Sequence, residues 1–285
     1  MGSLLHGLLR ADRRAFLRHS MAAGLALHGI AAGATTLAAV RERGTLVVGV
    51  YDDMPPFHAG GKGIDVEIAR AIAGALGLKV SLLPFAAGED MNDDLRNMVW
   101  KGHYLGYGPA DLLMHVPVDK PLMDANPQVT ICAPYYHERV AMARSLEKVP
   151  DLDAMSRLAG QRIAVTGASL AGWLLIGADH GAYREQLQTA FKDGCECAKA
   201  LQRGEVSAAA GLASELQSVL RGDARFAIEP LPLPRSTRDG WAAGLAVKRD
   251  GGELARALQE VVVQLAGTGR LREIFERHNV DWQPA

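Results

Sequence analysis

From Gly44 onward, short β-branched apolar runs alternate with apolar patterns of helical period, and this alternation limits the fold more than any other feature. Residues 45–50 (TLVVGV) form a strand-length run. Ile64, Ile68, Ile72 and Leu76 recur every fourth position on one helix face, and Gly77 ends that helix. Residues 79–83 give a second strand, 90–100 a helix starting near Asn92 or Asp93, and 111–115 a third strand. This order predicts a mostly parallel sheet with right-handed crossovers.

A second unit of the same kind follows APYYHERVAMAR. It holds a short helix, a strand at 162–165, a tight turn and a helix, then helix, turn, strand and helix through CAKALQRGEVSAAAGLASELQSVL. GWAAGLAVK reads as a strand returning to the first unit. Two helices close the chain, with Leu254, Leu258, Val261 and Leu265 on one face of the first and Leu271, Ile274 and Phe275 in the second. The expected class is α/β: two lobes with parallel-rich sheets flanked by helices, joined by two hinge strands around a cleft. Residues 40–135 with 242–285 form lobe 1, and 136–241 form lobe 2. Ligands favour strand ends that face such a cleft.

The 285-residue chain is 48 % hydrophobic and 22 % charged, enough for two cores and unlike a disordered chain. Its formal net charge of −1 divides into +3 for residues 1–39 and −4 for the remainder. A mildly acidic body with no basic block argues against nucleic acid as a partner. Three cysteines cannot all pair internally, and Cys195 and Cys197 are too close in sequence for an unstrained bridge. Free thiols or one optional disulfide are expected.

Arg13 and Arg14 stand before Phe16, Leu17 and Arg18, and a weakly apolar stretch rich in alanine and glycine follows. Small residues near Ala34 and Ala39 suit a signal peptidase. Residues 1–39 resemble the bacterial twin-arginine export signal, which implies a periplasmic protein. The rival reading is an uncleaved anchor, since residues 21–40 approach the ~20 residues that span a bilayer. Only that reading brings in a membrane.

Several segments in order over residues 41–280 resemble the family 3 extracellular solute-binding proteins, the polar-amino-acid-binding type of periplasmic receptor. They are RGTLVVGVYDDMPPF, GKGIDVEIARAIAGALGLKV with Asp65, APYY, LDAMSRLAGQRIAVTGAS and GLAVKRDGGELARALQEVVVQLAGTGRLREIFERH. The resemblance implies the two-lobed periplasmic binding protein fold of type II, a Venus flytrap. It also implies closure on a small-molecule solute, docking on an ABC permease or a sensor, a monomer, and no cofactor, metal or catalysis.

Two departures bear on the solute. The family's carboxylate-binding arginine would fall near Ala125, yet no arginine lies between Lys101 and Arg139. The family's ammonium-binding aspartate would fall in GEVSAAAGLASEL, where Ser207 and Gly211 stand instead and Glu215 follows. A polar or aromatic solute other than a standard α-amino acid is therefore expected. Residues 101–109 read as an insertion beside the cleft. That segment, with ADLLMHVP and PYY, is similar to a subgroup associated with quinoprotein (PQQ) dehydrogenases, although Tyr51 and Asp52 replace the cysteine common there. The second reading is thus an accessory of a periplasmic quinoprotein dehydrogenase or cytochrome c. The third is a dehydratase-like cleft enzyme, with His115, Asp53 or Glu215 as acid or base.

The candidate ligand residues are Tyr51, Asp53, Phe57, His115, Tyr136, Thr166, Ser169 and Trp241. Tyr51 and Phe57 suit stacking on a flat ligand, or only a packed turn. Asp53 suits a cation or hydroxyl groups, or an ordinary turn. His115 ends a predicted strand; no His-x3-His or Cys-x2-Cys spacing supports a metal site. Thr166 to Ser169 form a strand-to-helix turn whose N–H groups suit an anionic group; Ser169 alternatively serves as an N-cap. This turn lacks the final glycine of a hydrolase elbow, which disfavours a serine hydrolase. One of Tyr135 and Tyr136 is expected to pack and one to face the cleft. Trp241 covers the ligand or fills the hinge.

Overall fold

The computed structural model describes residues 36–231 and 240–285. The expected export signal lies almost wholly outside them. The first half contains α1 Leu37–Arg43, β1 Thr45–Tyr51, α2 Ile64–Ala75, β2 Lys79–Phe85, α3 Met91–Leu95, β3 Leu112–Pro117, α4 Lys120–Ala125 and β4 Val129–Glu138. Next come β5 Val140–Ser145, β6 Ile163–Val165, α5 Leu170–Gly177, β7 Leu187–Gln188, α6 Gly194–Gln202, β8 Ala208–Leu212, α7 Ala213–Leu220 and β9 Phe226–Pro230. β10 Trp241–Lys248, α8 Gly252–Gly267 and α9 Arg270–Arg277 complete the chain.

The described strands form two five-stranded sheets, in the orders β2-β1-β3-β10-β4 and β7-β6-β8-β5-β9. In the first, β1 is parallel to β2 and β3, whereas β10 is antiparallel to β3 and β4. In the second, β6 is parallel to β7 and β8, whereas β5 is antiparallel to β8 and β9. The two-sheet α/β class agrees with the sequence. Leu46, Val48 and Val50 of β1 are fully buried on the face that α2 and α8 cover, while Thr45, Val47 and Tyr51 alternate with them and stay partly exposed. Ile64, Ile68 and Ile72 of α2 join the same core as Leu254, Leu258, Leu271, Ile274 and Phe275.

The helix expected at 90–100 is real but divided. Asp90, not Asn92 or Asp93, is the N-cap and accepts the Asp93 N–H at 3.0 Å. After Leu95 the helix widens into a π-turn over Arg96–Trp100, where the Lys101 N–H reaches the Arg96 carbonyl at 2.9 Å.

The chain crosses between sheets at Arg139, where β4 gives way to β5, and again between β9 and β10. At the first crossing, the Glu138 carboxylate accepts from the Ser214 hydroxyl of α7 and from the Arg139 N–H. Gly240 has φ 116°, and a side chain there would overlap the Glu138 carbonyl. The C-terminal tail forms a third link. The His137 N–H donates to Gln283, the Trp282 indole donates to Tyr135, and the Asp281 N–H and carboxylate reach Gln217 of α7 and Arg221, its C-cap.

The insertion at 101–109 departs from expectation. It precedes β3, and β3 starts beside the middle of β1 while Asp111 donates its N–H to Val47. The segment therefore lies where β1 and β3 begin, at the end of the sheet remote from the cleft.

Candidate functional site

β1 and β3 of the first sheet and β6 of the second end toward one another. The turn after β1 carries Asp52, Asp53, Met54 and Pro55; the turns after β6 and β7 carry Thr166 to Ser169 and Thr189 to Gly194. Across the gap, Lys192 Nζ pairs with Asp53 Oδ2. The Cys195 sulfur lies 3.8 Å from the Pro55 carbonyl oxygen and nearer still to its own lobe's Glu215 carbonyl, at 3.6 Å, and Ser218 hydroxyl, at 3.5 Å. Both ion-pair side chains stay largely exposed, at 62 % for Lys192 and 53 % for Asp53. The lobes thus touch at the mouth of the cleft through these residues, and the two hollows of about 480 and 380 Å³ lie elsewhere on the surface.

Of the expected ligand residues, Asp53 sits at this contact. Thr166 lies beside it, bridged to Ala190, with Oγ1 3.9 Å from the Cys197 sulfur. The Ser169 hydroxyl is committed locally: it donates to the Thr166 carbonyl at 2.7 Å and accepts the Gly172 N–H at 3.1 Å as the N-cap of α5. Gly172 tolerates nothing larger, because a Cβ there would meet the Thr166 and Gly167 carbonyls.

Phe57 and Tyr136 pack into lobe 1, Tyr51 is half-buried at the end of β1, and Trp241 lies at the hinge. The Tyr51 hydroxyl donates to Asp94 at 2.9 Å and its ring packs on Phe85 at 4.7 Å. Burial pushes its hydroxyl up, and Asp94 is also raised by burial. Phe57, 1 % exposed, is a core residue 4.1 Å from the His115 ring. Its turn folds back through the Met54–His58 bridge, which drives the ring inward. Tyr136 is equally buried and stacks on Phe275 at 4.5 Å. Both tyrosines of the pair therefore pack, where one was expected at the cleft. Trp241 is half-buried at the hinge, paired with Glu138 in the sheet.

His115, 8 % exposed, belongs to a buried polar cluster. The Tyr135 hydroxyl donates to Asp65 Oδ1 at 2.7 Å and lies 3.2 Å from His115 Nδ1, which is 3.5 Å from Asp65 Oδ2. Burial raises the Tyr135 hydroxyl well above its ordinary range. His115 has φ 59°, a left-handed conformation that costs a non-glycine residue ~1–2 kcal/mol. Asp65, the acid of the first-helix segment, thus anchors Tyr135 of the strand that leads to the hinge.

Glu215 is half-buried, and its carboxylate is committed locally. Its two oxygens accept the Gly194 N–H at 3.1 Å and the Leu212 N–H at 2.9 Å, tying the start of α6 to the start of α7. Burial pushes its carboxyl up to about 7. Glu138 is raised by burial as well. Glu138 is fully buried, whereas Glu215 is partly exposed beside Gly194 and Cys195. The three cysteines are free, and burial pushes Cys195 and Cys197 up to about 12, which keeps them as unreactive thiols. Among the described residues, no group of three or more His, Cys, Asp or Glu side chains could hold a metal ion, and no helix is long and apolar enough to cross a membrane.

Sequence reasoning missed Lys192, Cys195 and the C-terminal tail. The only local signal for Lys192 was its place before Asp193, the N-cap of α6.

No family model and no curated protein matches the chain. Solved structures do. An ancestral cationic amino acid solute-binding protein (AncCDT-1) is 17 % identical with TM-score 0.66, over 85 % of this chain and 98 % of that one. An amino acid ABC transporter substrate-binding protein from Streptococcus pneumoniae, bound to L-arginine, is 20 % identical with TM-score 0.61, over 87 % and 98 %. The L-cystine solute receptor of Neisseria gonorrhoeae, in its unliganded open conformation, is 19 % identical with TM-score 0.61, over 89 % and 100 %. The chain has the two-lobed periplasmic binding protein fold seen in these receptors.

Proposed function

We propose that the chain is an exported periplasmic receptor that closes its two lobes on a small solute, without chemistry of its own. The observation that carries this reading is the contact of Asp53 and Pro55 with Lys192 and Cys195 across the cleft. Among the described residues, the backbone crossings and the C-terminal tail join the lobes behind it, so a ligand touching both sides gains affinity from closure. Lobe 1 is taken as residues 40–135 with 242–285 and lobe 2 as 136–241. Asp53, Thr166, the backbone near Ser169 and Lys192 supply the polar contacts.

The solute is polar or aromatic and not a standard α-amino acid. Support comes from the arginine-free stretch between Lys101 and Arg139 and from Glu215, whose oxygens are spent on backbone N–H groups. A carboxylate would lose a bidentate clamp. The partner is an ABC permease.

A thermal-shift screen of the full chain against amino acids, small organic acids, amines, aromatic acids and metals tests the reading. A ligand of the folded form raises the Tm with its saturation. A rise with one non-amino-acid class is expected. A rise with α-amino acids alone overturns the solute assignment, and no rise with any class overturns the receptor reading.

A further inference from the structure

The 101–109 segment is built, not loose. The His103 N–H donates to Tyr107 at 2.8 Å, Gly106 returns to His103 at 2.9 Å, and the Leu105 N–H donates to His103 Nδ1 at 3.2 Å. The His103 ring stacks on Tyr107 at 4.3 Å and lies tilted against Tyr104 at the same separation. This framework nevertheless presents its largest apolar groups to solvent: Tyr104 is 88 % exposed and Leu105 68 %. Ordered apolar side chains held outward mark a surface that meets something.

The charges around the tip indicate what it meets. The starts of β1, β2 and β3 and the end of β10 share this end of the first sheet: Thr45 pairs with Lys79, and Leu113 beside the start of β3 pairs with Ala246. Exposed Arg41, Lys79, Lys101 and Arg249 stand here without an ion pair among the described residues. The acids at this end are fewer: Asp111 is taken by Arg43, Asp250 by Lys248 and Asp124 by Lys120, and Glu42 and Glu253 are single. A basic end therefore stands on a body whose sequence carries a net −4. α1 also stands here, because it ends at Arg43 with Gly44 as its C-cap, directly before β1. The sequence leading into α1 is the apolar stretch that follows Arg13 and Arg14.

We infer that this end of lobe 1 docks on an anionic lipid bilayer, with Tyr104 and Leu105 entering the headgroup boundary and Arg41, Lys79, Lys101 and Arg249 facing the lipid phosphates. Tyrosine suits that boundary because its ring is apolar and its hydroxyl stays wet. Lysine and arginine add attraction that falls with salt. Docking at this end leaves the cleft, at the other end of the strands, open to solutes. The inference stands independently of the proposed solute.

The test is flotation of the full-length chain with vesicles of phosphatidylethanolamine and phosphatidylglycerol, against vesicles of phosphatidylcholine alone. Wild type is expected to float with the anionic vesicles. Y104S/L105S is expected to lose at least about fivefold in apparent affinity, because the apolar tip no longer inserts. K79E/K101E is expected to lose affinity and salt dependence together. W173S, at an aromatic of the second lobe that is 69 % exposed, is the control and is expected to bind as wild type. Each variant's melting curve shows whether it is folded. The inference is overturned if wild type does not float, if Y104S/L105S floats as well as wild type, or if W173S loses as much.

Discussion

Lys192 of the second lobe and Asp53 of the first form an ion pair across the mouth of the cleft, 139 residues apart in the chain. Both side chains are more than half exposed, so the pair adds little to stability, ~0–1 kcal/mol. Its effect is on the balance between open and closed lobes. K192A and D53A are expected to melt within a few degrees of wild type and to show a larger radius of gyration by small-angle scattering in 20 mM salt. Wild type is expected to expand toward them as salt screens the pair. Equal radii at all salt concentrations would show that the pair does not hold the lobes.

Gly194 and Glu215 give a prediction about packing. A Cβ at Gly194 would overlap the Glu215 carboxylate, and the Gly211 site approaches Gly194 Cα at 3.1 Å. G194A is expected to destabilise the protein by ~1–3 kcal/mol, the usual cost of overpacking. In urea unfolding, G194A/E215A should cost less than the sum of the single changes, since removal of the carboxylate relieves the overlap. Additive costs would contradict the contact.

Glu215 also makes stability depend on pH. Its carboxyl is raised from 4.5 to about 7 in the folded protein by burial. The folded state therefore holds this proton more tightly than the unfolded state. The stabilisation is fully present below about 4.5 and is lost as pH rises through about 7. The difference is on the order of 3 kcal/mol. Glu138, raised by burial as well, acts in the same direction. Unfolding free energies between pH 5 and 8 should fall for wild type and fall less steeply for E215Q. An identical slope in E215Q would assign the dependence elsewhere.

Tyr135 and Asp65 test the buried cluster. Y135F removes the hydroxyl that donates to Asp65 at 2.7 Å and leaves a carboxylate 3 % exposed with a lost donor. A loss of ~1–3 kcal/mol is expected in chemical unfolding. Y136F removes a hydroxyl from a ring that is held by stacking on Phe275, and should cost less.

These residues also show what could be read in advance. The β1 strand and the Ile64, Ile68, Ile72 face of α2 were legible because their periods are local and their burial follows from period alone. The return of β10 into the first sheet was legible from its apolar run after the second unit. The ligand residues were less so. Phe57 sits in a turn and Tyr51 at the last position of β1, where period no longer says which side chain goes inward; the Met54–His58 fold-back and the Asp94 acceptor decided it. Lys192 could not be matched to Asp53 because an ion pair between distant segments leaves no trace in either one. The 101–109 insertion was misplaced because length alone does not tell which end of a strand a loop extends.

The most direct test of solute closure is native mass spectrometry of the wild-type chain after incubation with a small-molecule extract of bacterial cells. Expected is a population heavier by one small solute. It should be lost in C195W, whose indole would fill the space where Cys195 meets Pro55 across the cleft. An unliganded mass alone, at every extract concentration, would contradict closure on a solute. So would an adduct that C195W retains in full.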